Sequence, residues 1–226
     1  MGILAHKITT GSGKSTLVNL LLKFYDVNDN EIIIDRQNIT KMNPNSVRKN
    51  IAVIPQNANL FNRSVMENIR YGRLEASDSE VEQVTRRIGR GDWVVTLDNG
   101  LATAVSERGR NLSMGQRQLV ILARVLLQDP SVVILDEATS NVDALTEALI
   151  QEGLEELVCD RTAVVIAHRL STIRNADRIV VLREGRIIEQ GDHKTLSAAG
   201  GHYAELYDTY FRHQSLEYIE RRHAPE

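Results

Sequence analysis

Several residue types are scarce in this chain, and each shortage removes a class of protein. A single cysteine, Cys159, excludes an internal disulfide and with it the small disulfide-stapled scaffolds of secreted proteins. It precedes Asp160-Arg161 in an expected loop and reads as a small core or surface residue. No apolar run approaches the ~18 residues that a membrane helix needs. The N-terminus lacks the charged lead and apolar stretch of a secretory signal. The chain is therefore expected to be soluble by itself, with any membrane role supplied by a partner. Aromatic residues make up only 4%, and none occurs between Met1 and Lys23. Charge of one sign is also missing: 27 Lys and Arg stand against 30 Asp and Glu, a net charge of −3, so no nucleic-acid partner is expected. What remains is a 226-residue chain, 42% hydrophobic, long enough for one sizeable domain or two small ones.

The stretch Asn111–Asp143 organises the rest. Leu119, Leu122 and Leu126 fall at helical spacing, with Val125 beside them. Ser113 stands three residues before Gln116, the pattern of a capping box at a helix start. The first-turn N–H groups of such a helix, together with its dipole, form an anion site. Asp129-Pro130 ends the helix, and Val132 to Leu135 is apolar at every position, as in a parallel strand covered on both faces. Asp136 and Glu137 follow at the carboxyl end of that strand, where open α/β sheets place ligands. An anion site and a carboxylate pair in one unit point to phosphate and metal chemistry.

Upstream, Gly11-Ser12-Gly13-Lys14-Ser15-Thr16 runs into the apolar Leu17 to Leu22, the context of a phosphate loop. Glycines let backbone N–H groups approach phosphate oxygens. Lys14 would reach the β- and γ-phosphates, the Ser15 hydroxyl would ligate Mg²⁺, and Thr16 would serve the nearer phosphates. The full pattern asks for glycine where this chain has Ile8, a residue poorly suited to positive φ.

Elsewhere the sequence predicts a brief strand near Ile3 to Ile8 and a strand over Glu31–Asp35. It predicts a turn at Asp35 to Gln37 with Asn38 to Thr40 returning, and a buried strand over Ile51–Ile54. Residues from about Asn62 to Asp129 read as mainly helical, with Trp93 as a packing anchor. A helix over Ala144–Val158 is expected to bury Leu145, Leu149, Leu154 and Leu157. Then follow an apolar strand, Thr162–Ala167, ending at His168, a hairpin around Glu184-Gly185, and a tail helix from about His202 to Arg212.

These residues carry a family likeness. The chain resembles the nucleotide-binding domain of an ABC transporter from Gly11 to about Tyr207. Gly11 to Thr16 matches Walker A, and Gln56 in IPQNANLFNRSVMENI matches the Q-loop. Leu112 to Gln116 matches the signature, Val132 to Glu137 Walker B, Ser140 to Asp143 the D-loop, and His168 the H-loop. The segment Thr103 to Gly109 is similar to that of multidrug and lipid exporters.

The resemblance implies an α/β fold: a P-loop NTPase core with a parallel sheet flanked by helices, about 1–61 and 131–226. It adds an inserted helical subdomain, about 62–130, and an incomplete N-terminal β-subdomain. It implies ATP and Mg²⁺ as cofactors. ATP would contact Gly11, Ser12, Gly13, Lys14, Ser15 and Thr16 of one chain. Ser113, Gly115, Gln116 and Asp143 of a second nucleotide-binding domain, docked head to tail, would face it. Ser15, Gln56 and Asp136 would serve the metal. Glu137 would act as general base or orient water, His168 would contact the γ-phosphate, and Gln56 would link the site to a transmembrane partner. The implied place is the cytoplasmic face of a membrane, held there by that partner. Three departures stand out: Ile8, Met114 in the signature, and only ten residues before Gly11. On this reading the chain is an N-terminally truncated exporter, powering efflux by ATP hydrolysis or, alternatively, serving as an impaired nucleotide-binding or assembly module.

Overall fold

The apolar runs at Ile51–Ile54, Val132–Leu135 and Thr162–Ala167 form strands as expected. The structure, a computed structural model, describes residues 2–6, 13–27, 30–55, 59–136, 142–167 and 174–211. It divides into two compact units, Met1–Asp26 with Ala163–Glu226, and Val27–Thr162.

In the first unit, β1 (Gly2–His6) lies between two parallel neighbours, β6 (Thr162–Ala167) and β7 (Arg178–Arg183). β8 (Arg186–Gly191) returns antiparallel to β7, with an irregularity between Val181 and Leu182. Its turn has positive φ at both central residues, Glu184 at 51° and Gly185 at 75°. That twist suits a two-residue hairpin. Ile179 and Val181 are fully buried on β7. Helix α1 (Lys14–Leu21) follows Gly13, and α8 (His193–Ala199) and α9 (His202–Leu206) follow the hairpin. Glu189 of β8 accepts from the backbone N–H of His202 at 2.7 Å and of Tyr203 at 2.8 Å, so a strand residue caps α9.

The second unit pairs β4 (Ile51–Ile54) with β5 (Val132–Asp136) in parallel, Ile51 opposite Val132 and Ile54 opposite Leu135. Helices α2 (Pro44–Lys49), α3 (Val65–Arg70), α4 (Asp78–Arg86), α5 (Asp92–Val95), α6 (Met114–Gln128) and α7 (Ala144–Val158) complete it. Helix α6 is the hub, packing on α3, α4 and α7. Its residues from Gln118 to Leu127 are buried except Arg124. Trp93 is 1% exposed and donates its indole N–H to the Thr85 carbonyl, as a packing anchor should.

Four local expectations are corrected. The strand expected over Glu31–Asp35 is only β2 (Ile33–Ile34), paired with β3 (Gln37–Asn38). Positive φ at Asp35 and Arg36 forms a two-residue hairpin turn, and the ladder ends at Asn38, where the chain turns into a 3-10 helix. Ile39–Lys41 is a 3-10 turn instead of a continuing strand, because the Asn38 side chain accepts from Thr40 N–H at 3.0 Å. Leu145 is 75% exposed in the first turn of α7, whose buried residues are Ile150, Gly153 and Leu157. The tail is α-helical only to Leu206 and continues as a π-helix over Tyr207–Phe211, where the Thr209 hydroxyl bonds the Glu205 carbonyl. Among the described residues no helix is long and apolar enough to cross a membrane.

Candidate functional site

In the first unit the phosphate-loop residues Gly13 to Thr16 form a turn into α1. Gly13 is the N-cap, with φ 99° and ψ 1°, a left-handed conformation open to glycine and costly for other residues. Lys14, Ser15 and Thr16 are the first three helical residues, and the hydroxyl-bearing pair is exposed. Among the described residues no side chain caps this N-terminus, and no acidic residue occupies its first turn. By contrast, Asn43, Ser64, Ser77, Ser113, Asp143 and Asp192 cap the helices they precede. A helix start with a lysine and without a carboxylate is suited to an external anion.

The second unit brings the signature and D-loop together. Ser113 caps α6 in the expected capping box: its hydroxyl accepts from Gln116 N–H at 3.0 Å, and Gln116 Oε1 accepts from Ser113 N–H at 2.9 Å. Gln116 Nε2 also donates to the Thr96 carbonyl at 3.2 Å. Asp143 caps α7, accepting from Thr146 N–H at 2.9 Å. That backbone bond, first among its influences, holds the carboxyl below the usual aspartate range. Gly115 joins the two helix starts. A Cβ placed on it would overlap the Thr146 γ-methyl and stand 3.0 Å from Val142 Cγ1. Glycine is thus required here by close approach of α7, whereas Gly13 requires it for backbone conformation.

Asp136 ends β5 and is half-buried, at the carboxyl edge predicted for it. Gly11, Ser12, Gln56, Glu137 and His168 lie outside the described residues, as does Ile8. A serine hydroxyl and an aspartate carboxylate are the hard oxygen donors that Mg²⁺ prefers, so Ser15 and Asp136 fit that ion by donor chemistry.

Three polar residues of the second unit carry no signal in the motifs above: Asn68, Gln118 and Arg124. Asn68 is 1% exposed and Gln118 6%. Arg124 is a lone cation in the apolar run from Leu119 to Leu127, and that anomaly was the available signal. Burial pushes its guanidinium down to about 10.

Comparison with known proteins places the chain in a family. Residues 9–140 match the family described as ABC transporter. The chain is 46% identical over 202 residues to an uncharacterized ABC transporter ATP-binding protein, YfiC, of Bacillus subtilis. The match covers 89% of this chain and 33% of that protein. It is 45% identical over 207 residues to an ATP-dependent lipid A-core flippase of Syntrophus aciditrophicus, covering 92% and 34%. It is 43% identical over 217 residues to ATP-binding cassette sub-family B member 6 of Mus musculus, covering 96% and 26%. Among solved structures, a bacterial Atm1-family ABC exporter with ATP bound matches with a TM-score of 0.81 and 37% identity, covering all of this chain and 37% of that one. The chain thus spans between about a quarter and a third of the length of the curated relatives it matches. The fold is the α/β P-loop fold of ABC-type ATPases. The chain belongs to the ABC transporter family.

Proposed function

We propose that this chain binds and hydrolyses Mg-ATP to power export through a transmembrane partner domain. The observation that carries the reading is the Gly13 turn, a left-handed residue delivering Lys14, Ser15 and Thr16 to a helix start that no described side chain caps. In this reading Gly11 to Thr16 cradle the phosphates, and Ser15, Gln56 and Asp136 hold Mg²⁺, which neutralises phosphate charge when bound. Glu137 takes or orients the proton of the attacking water, and His168 contacts the γ-phosphate. A second nucleotide-binding domain, identical or different, docks head to tail and presents Ser113, Gly115, Gln116 and Asp143. The capping box fits this role: it orders the start of α6 while leaving Ser113 exposed. The chain divides functionally into a core, about 1–61 and 131–226, and a helical signature subdomain, about 62–130. It works at the cytoplasmic face of a membrane, held there by its partner.

Mg-ATP titration by calorimetry with parallel phosphate-release assays tests the reading. Lys14→Ala is expected to abolish binding, since charge-assisted contacts are roughly twice as strong as neutral ones. Cys159→Ser, at an exposed thiol, is expected to leave it unchanged. Equal affinity in wild type and Lys14→Ala overturns the phosphate-loop assignment. Binding without turnover favours the alternative of an impaired nucleotide-binding module.

A further inference from the structure

The half-buried Arg124 has no carboxylate partner among the described residues. Its Nε donates to the Asn68 carbonyl at 2.7 Å and its Nη2 to Asn68 Oδ1 at 3.0 Å. The guanidinium carbon lies 5.5 Å from the Phe61 ring centroid and 5.6 Å from that of Tyr71. Neutral oxygens and ring faces thus satisfy a cation that burial penalises. A contact serving stability alone would cost less with an apolar side chain in this place.

Asn68 uses what Arg124 anchors. Its Oδ1 accepts from Phe61 N–H at 2.8 Å, and its Nδ2 donates to the Phe61 carbonyl at 3.0 Å. It thereby takes both backbone groups of Phe61, as a strand partner would. Nδ2 also donates to the Ser64 carbonyl at 3.0 Å, so every lone pair and proton of the amide is engaged. The result is a relay from α6, through Asn68 on α3, to Phe61. Phe61 is the downstream flank of the stretch Pro55–Phe61. At the upstream flank the Pro55 carbonyl lies 3.5 Å from Gln118 Nε2, also on α6. Both described flanks of the Gln56-bearing stretch therefore meet the helix whose first turn carries Gly115.

We propose that Arg124 is a positioning residue, which through Asn68 fixes Phe61 and so ties the flank that follows Gln56 to the signature helix. The link from Phe61 to turnover rests on the hydrolytic reading above; the relay itself does not.

The test compares wild type with Arg124→Met and Arg124→Lys in the full chain. Arg124→Met keeps the stem but loses every donor. Arg124→Lys keeps the cation and the stem, but one ammonium cannot reproduce the fork. The Phe61 amide is expected to exchange with solvent roughly tenfold faster in Arg124→Met and by an intermediate factor in Arg124→Lys. Turnover is expected to fall roughly tenfold while the Mg-ATP dissociation constant stays within about twofold, the signature of a lost transition-state contact. Unchanged Phe61 exchange in a folded variant overturns the relay. Faster exchange with unchanged turnover, or affinity and turnover falling together, overturns the positioning role. If Arg124→Met fails to fold, Arg124→Lys carries both readouts. If wild type binds no Mg-ATP, the proposed function fails, while the exchange measurement still decides the relay.

Discussion

Gly115 and Thr146 pack so closely that the first turn of α6 and the first turn of α7 meet without room for a methyl group on the glycine. The two helix starts expected to face a partner's nucleotide therefore pack directly against each other. Gly115→Ala should force them apart and destabilise the chain by about 1–3 kcal/mol, the usual range for overpacking. Thr146→Ser removes the opposing methyl and should recover part of that loss in the double variant. Denaturant midpoints measure both. Equal midpoints for wild type and Gly115→Ala would show that the contact yields without cost.

Glu137→Gln should retain Mg-ATP binding and trap a dimer. Removal of the proposed base slows hydrolysis while the phosphate contacts remain. Size-exclusion chromatography with Mg-ATP reads the outcome. A variant that stays monomeric while wild type dimerises counts against the assignment, whereas two monomers support the impaired-module alternative.

The caps of α7 and α8 predict a pH dependence. Asp143 and Asp192 accept backbone N–H bonds from Thr146 and Thr195, and both carboxyls lie below their ordinary value for that reason. A depressed folded-state value means stability that is present above the unfolded value, about 3.9 for aspartate, and lost as pH falls through the folded value. Wild-type stability should therefore decline below about pH 4. Asp143→Asn keeps an acceptor for Thr146 N–H but does not titrate, so its decline should be shallower. Parallel acid profiles for the two proteins would remove this role from Asp143.

The base of a bound nucleotide should be read weakly. Met1 to Lys23 contains no aromatic side chain, and Phe24 follows α1 instead of preceding the loop. Base–aromatic stacking contributes about 1–3 kcal/mol, so its lack should weaken ATP roughly 5- to 150-fold against a domain that stacks the purine. Triphosphate contacts do not distinguish bases, and ATP and GTP should bind within about threefold of each other. Titration of both with Mg²⁺ decides it: tight binding with strong preference for ATP would reveal a purine platform elsewhere in the chain.

The amino-acid sequence by itself determined the features that depend on neighbours along the chain. The Ser113–Gln116 box needs only residues three apart, and it formed as predicted. The apolar runs at Ile51–Ile54 and Val132–Leu135 became neighbouring parallel strands, as expected of runs without polar alternation, which suit strands covered on both faces. The Glu184-Gly185 hairpin was legible for the same local reason. Tertiary structure alone decided what depends on distant partners. Leu145 matches the helical period of α7 but lies outside its buried face, since the period fixes a stripe and not how far along the helix a neighbour covers it. Gly115 looked like a phosphate-contact glycine, yet its lack of a side chain is also demanded by Thr146, 31 positions away. Arg124 was visible as a misplaced charge, but its partner Asn68 lies 56 residues upstream. A hydrogen bond across such a separation leaves no periodicity in the sequence. Only the packing of α3 on α6 brings the donor to its acceptor.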